Sequence, residues 1–186
     1  MTKKDFLISF VVATFVVVVG GLGFIYWVSK GEAQVNTKTV KDEVIQKSVD
    51  TALSTDTEGK TNLEKEAAMG GFLDEKVFQQ MLHEMSHQKV HASQKWGFIE
   101  MKESTINALL KMLENGNYEN ENLYREILTE WKEGNFKNAV EHHNAIWKLQ
   151  GGSIGMATRL LTEEEEQKYL EGFQDTKFVE ESGSGD

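Results

Sequence analysis

An uncharged apolar run of 23 residues, Phe6 to Val28, constrains this chain more than any other feature. As an α-helix it would extend about 34 Å, enough to cross a hydrocarbon core of about 30 Å. In lipid the backbone amides must bond within the segment, which favours a helix despite the many β-branched residues. Tyr26 and Trp27 stand at its far end, where aromatic rings favour the membrane interface. We therefore predict a transmembrane helix over 6–28.

The alternative to an anchor is a cleaved signal peptide, whose apolar region is about 7 to 15 residues long. The observed run is longer, and the following "SKGEAQ" offers no convincing cleavage site. Lysines lie near both ends of the run, so the positive-inside rule says little about orientation. A short tail with two lysines favours the cytoplasm for residues 1–5. We expect a single-pass protein of the cell membrane, in contact with the lipid bilayer, whose domain is extracytoplasmic.

Composition narrows the classes of protein and of site that remain. The chain has 186 residues, no cysteine and no proline. Without cysteine there are no disulfides and no thiolate metal sites, which leaves histidine, carboxylate and backbone oxygen as metal ligands. The net charge of -10 repels phosphate backbones, so nucleic acid is not an expected partner.

Beyond the apolar run the chain divides into three parts. Residues 29–71 are rich in charged and hydroxyl side chains and poor in large apolar ones, which predicts a flexible spacer. Residues 72–178 carry helical apolar periodicity and predict one helical domain. Residues 179–186 end in "ESGSGD", which is typical of a disordered tail.

The periodicity within 72–178 predicts an all-α fold, a small bundle of about five to six helices. Ser153 can cap a fifth helix, and Thr162 with Glu165 forms a capping box that can start a sixth. The acidic run that follows this box is interpreted as helix-dipole stabilisation rather than a calcium site. Three tryptophans recur at helical spacing with other apolar residues and are assigned to the core: Trp96, Trp131 and Trp147.

Several short segments together suggest a relative. The segments "HQKV", "KWG", "GNF", "HNAIW", "LQGG" and "ATRLL" occur in this order between about 72 and 169. In their residues and their order these segments resemble a family of short, singly anchored proteins of Gram-positive bacilli that is catalogued as a domain of unknown function. The resemblance implies a shared helical domain in a bacterial cell envelope. It implies no activity, substrate or catalytic residue.

Residues 83–87 read "HEMSH" and match the H-E-x-x-H pattern of zinc metallopeptidases. His83 and His87 are four apart on a predicted helix and would project from one face as ligands, while Glu84 would serve as the general base. A third ligand has to come from downstream, and the candidates are His142, His143 or a glutamate. The elongated H-E-x-x-H-x-x-G-x-x-H pattern is absent.

A helical wheel argues against the metal site. With 100° per residue, the apolar side chains from Val77 to Met85 group on one side, and the histidines lie on the other. This predicts that His83, His87 and His91 form a solvent-facing stripe, with no metal and no catalytic residue. His143 differs, because apolar residues flank it on its own helix, so it should be buried and hydrogen-bonded.

Two functions therefore stay open. The sequence favours a non-enzymatic module of the cell envelope that acts through an unidentified protein partner, without a cofactor. The alternative is a membrane-tethered zinc metallopeptidase that uses His83, His87 and Glu84.

Overall fold

A computed structural model describes residues 37–182 of the chain. The predicted anchor at 6–28 and the residues after 182 lie outside this range. Within the described range no helix combines the length and the apolar character needed to cross a bilayer. The predicted membrane anchor lies entirely within residues that the structure does not describe.

The described residues form mostly helices, together with one two-stranded sheet. In chain order these elements are α1 (Thr37–Leu53), α2 (Asn62–Ala68), α3 (Glu75–Ser86), β1 (Val90–Ala92), α4 (Glu103–Asn115), α5 (Glu121–Lys132), α6 (Ala139–Leu149), β2 (Ala157–Leu160) and α7 (Glu163–Ser182). The predicted helical class is thus confirmed in outline. The all-α description is incomplete, because β1 and β2 were not expected.

Apolar residues that recur every three or four positions bury one side of each central helix. On α3 these are Val77, Phe78, Met81, Leu82 and Met85, and they join buried residues of α4 and α5 in one main core. The Asp74 carboxylate caps α3 by accepting the backbone N–H of Lys76 at 2.8 Å. Helix α6 packs on α3 as well, so α3 has packed neighbours on two sides.

The two strands pair antiparallel beside α6, and Val90 lies opposite Leu160. A bulge follows His91, and Val90, Ala139 and Ala157 form a second, small core there. The predicted fifth helix at Ser153 is wrong, since this segment leads into β2, whose extended backbone pairs with β1. The predicted capping box is present: the Thr162 hydroxyl accepts the N–H of Glu165 at 3.2 Å, at the start of α7.

The predicted spacer at 29–71 is wrong where the structure describes it. Helix α1 occupies 37–53, and Val49 is fully buried; α2 follows, with Leu63 and Ala67 in the main core. A capping box of Thr61 and Glu64 starts α2, which packs on α4. Few apolar residues suffice here, because a helix gains most of its stability from packing on its neighbours. The packed region thus begins before Phe72.

Candidate metal centre

The H-E-x-x-H residues lie at the end of α3, where the helix meets α6. His83 and Glu84 belong to the last turn, and His87 follows directly as the helix cap. His143 lies in the middle of α6. The packing of α6 on α3 brings His143 against the two histidines that the sequence placed on the solvent side.

The three imidazole rings form one cluster. Ring centroids are 4.9 Å apart for His83 and His87, 4.5 Å for His83 and His143, and 5.5 Å for His87 and His143. One ring nitrogen from each residue lies within 4.8 Å of the others. Three imidazoles on a tetrahedral zinc ion, with Zn–N bonds of about 2.0–2.1 Å, would place their centroids about 5 Å apart. The observed spacing of the ring centroids is therefore compatible with a single metal ion.

Burial contradicts the predicted solvent-facing stripe. His87 is 2% exposed, His143 is fully buried, and His83 is partly buried. Only His91 behaves as expected, as an exposed residue of β1. The wheel placed His83 and His87 on one face correctly, but α6 covers that face, and His91 lies outside the helix. For His143 the prediction of a buried, hydrogen-bonded side chain is confirmed.

Carbonyl oxygens fix the proton on each ring, because a carbonyl can only accept a hydrogen bond. Nδ1 of His83 donates to the side-chain oxygen of Gln150, and Nδ1 of His87 donates to the Gly97 carbonyl at 2.9 Å. Nε2 of His143 donates to the Gly155 carbonyl at 3.1 Å. The second nitrogen of each neutral ring then carries the lone pair that a metal ion needs. Metal-binding histidines are usually oriented by such a partner on the opposite nitrogen.

Ser86 adds a constraint at His143. Its hydroxyl lies 2.9 Å from Nδ1 of His143 and 2.5 Å from the His83 carbonyl. A hydroxyl has one proton, so it cannot donate fully to both acceptors. A metal ion on Nδ1 of His143 therefore requires Ser86 to donate to the His83 carbonyl, which is the shorter of the two contacts.

Burial keeps the rings neutral. It lowers the pKa of His87 to about 3 and that of His143 to about 4, and it lowers the pKa of His83 as well. The Lys95 ammonium, whose Nζ donates to the His87 carbonyl at 2.7 Å, acts on His87 and His143 in the same direction. At neutral pH the cluster consists of lone-pair donors and does not have to lose protons before it binds a metal.

Glu84 is buried beside this cluster, with 1% of its surface exposed. Burial raises the pKa of its carboxyl to about 7. Its carboxylate packs on Gly97, where an added Cβ would lie 2.4 Å from the Glu84 Cδ. Gly97 has a φ of 79°, a left-handed conformation that glycine adopts readily. Because Gly97 has no side chain, the Glu84 carboxylate can pack directly against it. The Gly97 carbonyl also accepts the hydrogen bond from His87.

Two glutamines connect Glu84 with His83. Gln80 donates to Glu84 Oε1 at 2.7 Å, Gln150 donates to Gln80 at 3.0 Å, and Gln150 in turn accepts from His83. The chain of amides runs from α3 to the cap of α6 and back. It links the carboxylate to the imidazole through a series of hydrogen bonds.

Sequence reasoning named some of these residues and missed others. It named the two histidines and the glutamate of the motif, and it named His143 among the downstream candidates for a third ligand. Gln80, Gln150 and Gly97 were missed, because only the fold shows what they contact. One signal was available: four cluster residues, His87, Gly97, His143 and Gln150, lie within the short segments that carry the family resemblance.

Trp96 corrects a further prediction. It was assigned to the core, but it is 61% exposed, in the segment between β1 and α4. Trp131 is buried as predicted, and Trp147 is partly buried. Helical spacing did not place Trp96 inside, because residues 93–102 are not helical.

Comparison with known proteins found a match between part of the chain and the model of a family of unknown function. Residues 82–171 match the model of DUF6241, described as a family of unknown function. The match confirms the predicted resemblance to an uncharacterised family, and it covers the motif, His143 and the paired strands. A search of curated proteins and a search of solved structures found no match.

Proposed function

We propose that this domain binds one divalent transition-metal ion through His83, His87 and His143. The observation that supports the proposal is the convergence of three histidines, two of them buried, on one point between α3 and α6. Neutral imidazoles suit zinc, copper, nickel and iron rather than calcium or magnesium. Zinc is the simplest choice, since its tetrahedral geometry agrees with the ring spacing.

The donor set favours an open rather than a closed site. Structural zinc sites use four protein ligands, whereas catalytic zinc sites use three and leave a position for water or substrate. Three histidines form the cluster among the described residues. The metal would therefore keep a position for an exogenous ligand, and the partly exposed His83 marks the side from which it enters.

A second candidate function is zinc-dependent peptide hydrolysis, with Glu84 as the general base. The specific observation is the buried Glu84 carboxylate, next to His83 in the motif and packed on the same Gly97 that orients His87. His83, His87 and His143 would hold the zinc ion, whose chemistry would be to acidify a water molecule, and the Glu84 carboxylate would accept the proton of that water. Exposed apolar residues adjoin the cluster near Gly155 and offer contacts for a peptide: Trp96, Ile154 and Met156.

The setting that we propose is the outer side of a bacterial cell membrane, with residues 6–28 as a single anchor and 1–5 inside. The uncharged length of this run supports the proposal. A role as a module that binds another envelope protein is compatible with a metal site. The absence of cysteine in an acidic domain agrees with export.

Metal analysis tests the first proposal. The full chain, purified in detergent and stripped with a chelator, is re-equilibrated with zinc, freed of unbound metal and analysed for bound zinc. We expect His87→Ala to bind one zinc ion fewer than the wild type, and His83→Ala likewise. His91→Ala, which removes an exposed histidine nearby, is the matched control and should bind as the wild type does. An unchanged stoichiometry in folded His87→Ala would contradict the proposal.

Hydrolysis tests the second candidate. The zinc-loaded chain is incubated with a mixture of fluorogenic peptides, and Glu84→Gln is compared with the wild type. A general base predicts that Glu84→Gln keeps its zinc and loses cleavage by about 100-fold or more. Equal cleavage by both proteins would exclude Glu84 as the base.

A further inference from the structure

A second group of metal-type ligands lies on the other side of α6. It consists of His142, adjacent in sequence to His143, and of Glu126 and Glu130 on α5. The two glutamates are four residues apart, so they project from one face of their helix toward α6. One ligand atom from each of the three residues lies within 4.8 Å of the others.

His142 is the decisive residue of this group, because it is a buried polar side chain without a hydrogen-bond partner. It is 4% exposed, and neither Nδ1 nor Nε2 makes a hydrogen bond. Nε2 lies 3.8 Å from Oε2 of Glu130, which is beyond hydrogen-bonding distance. Leaving buried polar atoms unpaired lowers the stability of a fold, so such a ring calls for an explanation.

A bound cation supplies that explanation. Two ligand atoms that are each about 2.1 Å from a zinc ion stand about 3.4 Å apart in tetrahedral geometry. The 3.8 Å between His142 and Glu130 is close to this value and too long for a direct bond. Asn138 donates to both oxygens of Glu130, at 3.0 and 3.1 Å, and so holds the carboxylate in place.

Charge and access fit the same interpretation. The buried His142 ring has three carboxylates near it, those of Glu130, Glu126 and Glu141, so its surrounding is negatively charged. Glu126 is exposed and Glu130 is partly buried, which leaves a route for an ion from solvent. Two carboxylates would balance a divalent charge, and the imidazole favours zinc over calcium.

We infer that Glu126, Glu130 and His142 form a second divalent-metal site, separate from the three-histidine cluster. Helix α6 then contributes one ligand to each site, His142 on one side and His143 on the other. The inference rests on residues that the proposed function does not use.

Zinc stoichiometry in matched variants tests the inference, again on the full chain in detergent with inorganic zinc as the probe. The wild type should bind two zinc ions, and Glu130→Gln, which keeps the size of the side chain, should bind one. The control is Glu133→Gln, which removes an exposed carboxylate at the end of the same helix and should leave two. A folded Glu130→Gln with the wild-type stoichiometry would overturn the inference.

The same series separates this site from the three-histidine cluster. If the wild type binds one zinc that His87→Ala loses and Glu130→Gln keeps, the second site does not exist and the proposed function stands. If the wild type binds one zinc that Glu130→Gln loses and His87→Ala keeps, the second site stands and the proposed function fails. A second measurement uses only the wild type and so avoids variants that fail to fold. The ring nitrogen resonances of His142 should shift on addition of the second zinc equivalent. Unshifted resonances would also overturn the inference.

Discussion

The ring centroids of His83 and His143 lie 4.5 Å apart, edge to face, although one residue belongs to α3 and the other to α6. This contact turns the polar side of α3 into an internal surface. It also means that the variants proposed for this site change buried groups, so each needs a control with the same chemistry at an exposed position.

The Gln150 side chain should govern metal affinity through His83. Replacing it in Gln150→Leu removes the acceptor of Nδ1 of His83 and frees the ring to rotate. We expect zinc affinity to fall about 10- to 100-fold, the usual effect of losing an orienting partner. Calorimetric titration with zinc measures this. Gln167→Leu, on exposed α7, is the control, and equal affinities in the two variants would contradict an orienting role for Gln150.

Gly97→Ala should destabilise the fold more than Gly59→Ala. Both glycines have a left-handed backbone, with φ of 79° and 77°, so both variants lose about 1 kcal/mol to backbone strain. Only at Gly97 would the new Cβ meet Glu84; nothing lies within 4 Å at Gly59. This overpacking should cost Gly97→Ala about 1–3 kcal/mol more in urea unfolding. Equal losses would show that Glu84 moves away without cost.

Glu84→Gln should stabilise the metal-free chain increasingly as pH rises. Burial raises the folded-state pKa of Glu84 to about 7 from 4.5, so the folded state holds this proton more tightly than the unfolded state. Its contribution to stability is therefore complete below about pH 4.5 and is lost as pH rises through 7. Urea unfolding at pH 5 and pH 8, with chelator present, should show a larger gain for the variant at pH 8. Glu133→Gln should show no such pH-dependent gain.

The buried histidines should make the metal-free chain sensitive to acid. Burial lowers the pKa of His87 to about 3 and of His143 to about 4, against about 6.5 in an unfolded chain. The unfolded state therefore binds more protons below pH 6.5, and stability falls as pH decreases toward these folded-state values. Thermal unfolding in chelator should show this fall. His87→Gln should reduce its slope, whereas the exposed His91→Gln should not.

The Tyr124 hydroxyl should stabilise the junction of α3 and α5. It donates to Glu75 Oε1 at 2.6 Å and accepts from Gln79 at 2.7 Å. Tyr124→Phe leaves both partners short of a hydrogen bond in a buried place, and should lower the free energy of unfolding by about 1–3 kcal/mol. Tyr118→Phe is the comparison, because the Tyr118 hydroxyl only accepts the Leu73 N–H at 3.2 Å, and it should cost less.

The helices were predictable where local chemistry determines them. The apolar spacing of α3, α4 and α5, and the capping box at Thr162, were sufficient to place these elements. The two strands were not predictable from the sequence, because β1 and β2 are short and each forms only by pairing with the other, which lies far along the chain. Helix α1 was not predictable, because its few apolar residues become sufficient only when Val49 and Ala52 join the main core.

The sequence by itself indicated that His83, Glu84 and His87 share one helix and that His143 is buried. Only the tertiary structure decided that these residues meet. A helical wheel reports which side chains share a face, since that depends on 3.6 residues per turn. What covers that face depends on which helix packs there, and contacts between residues far apart in the chain are settled by the free energy of the whole fold.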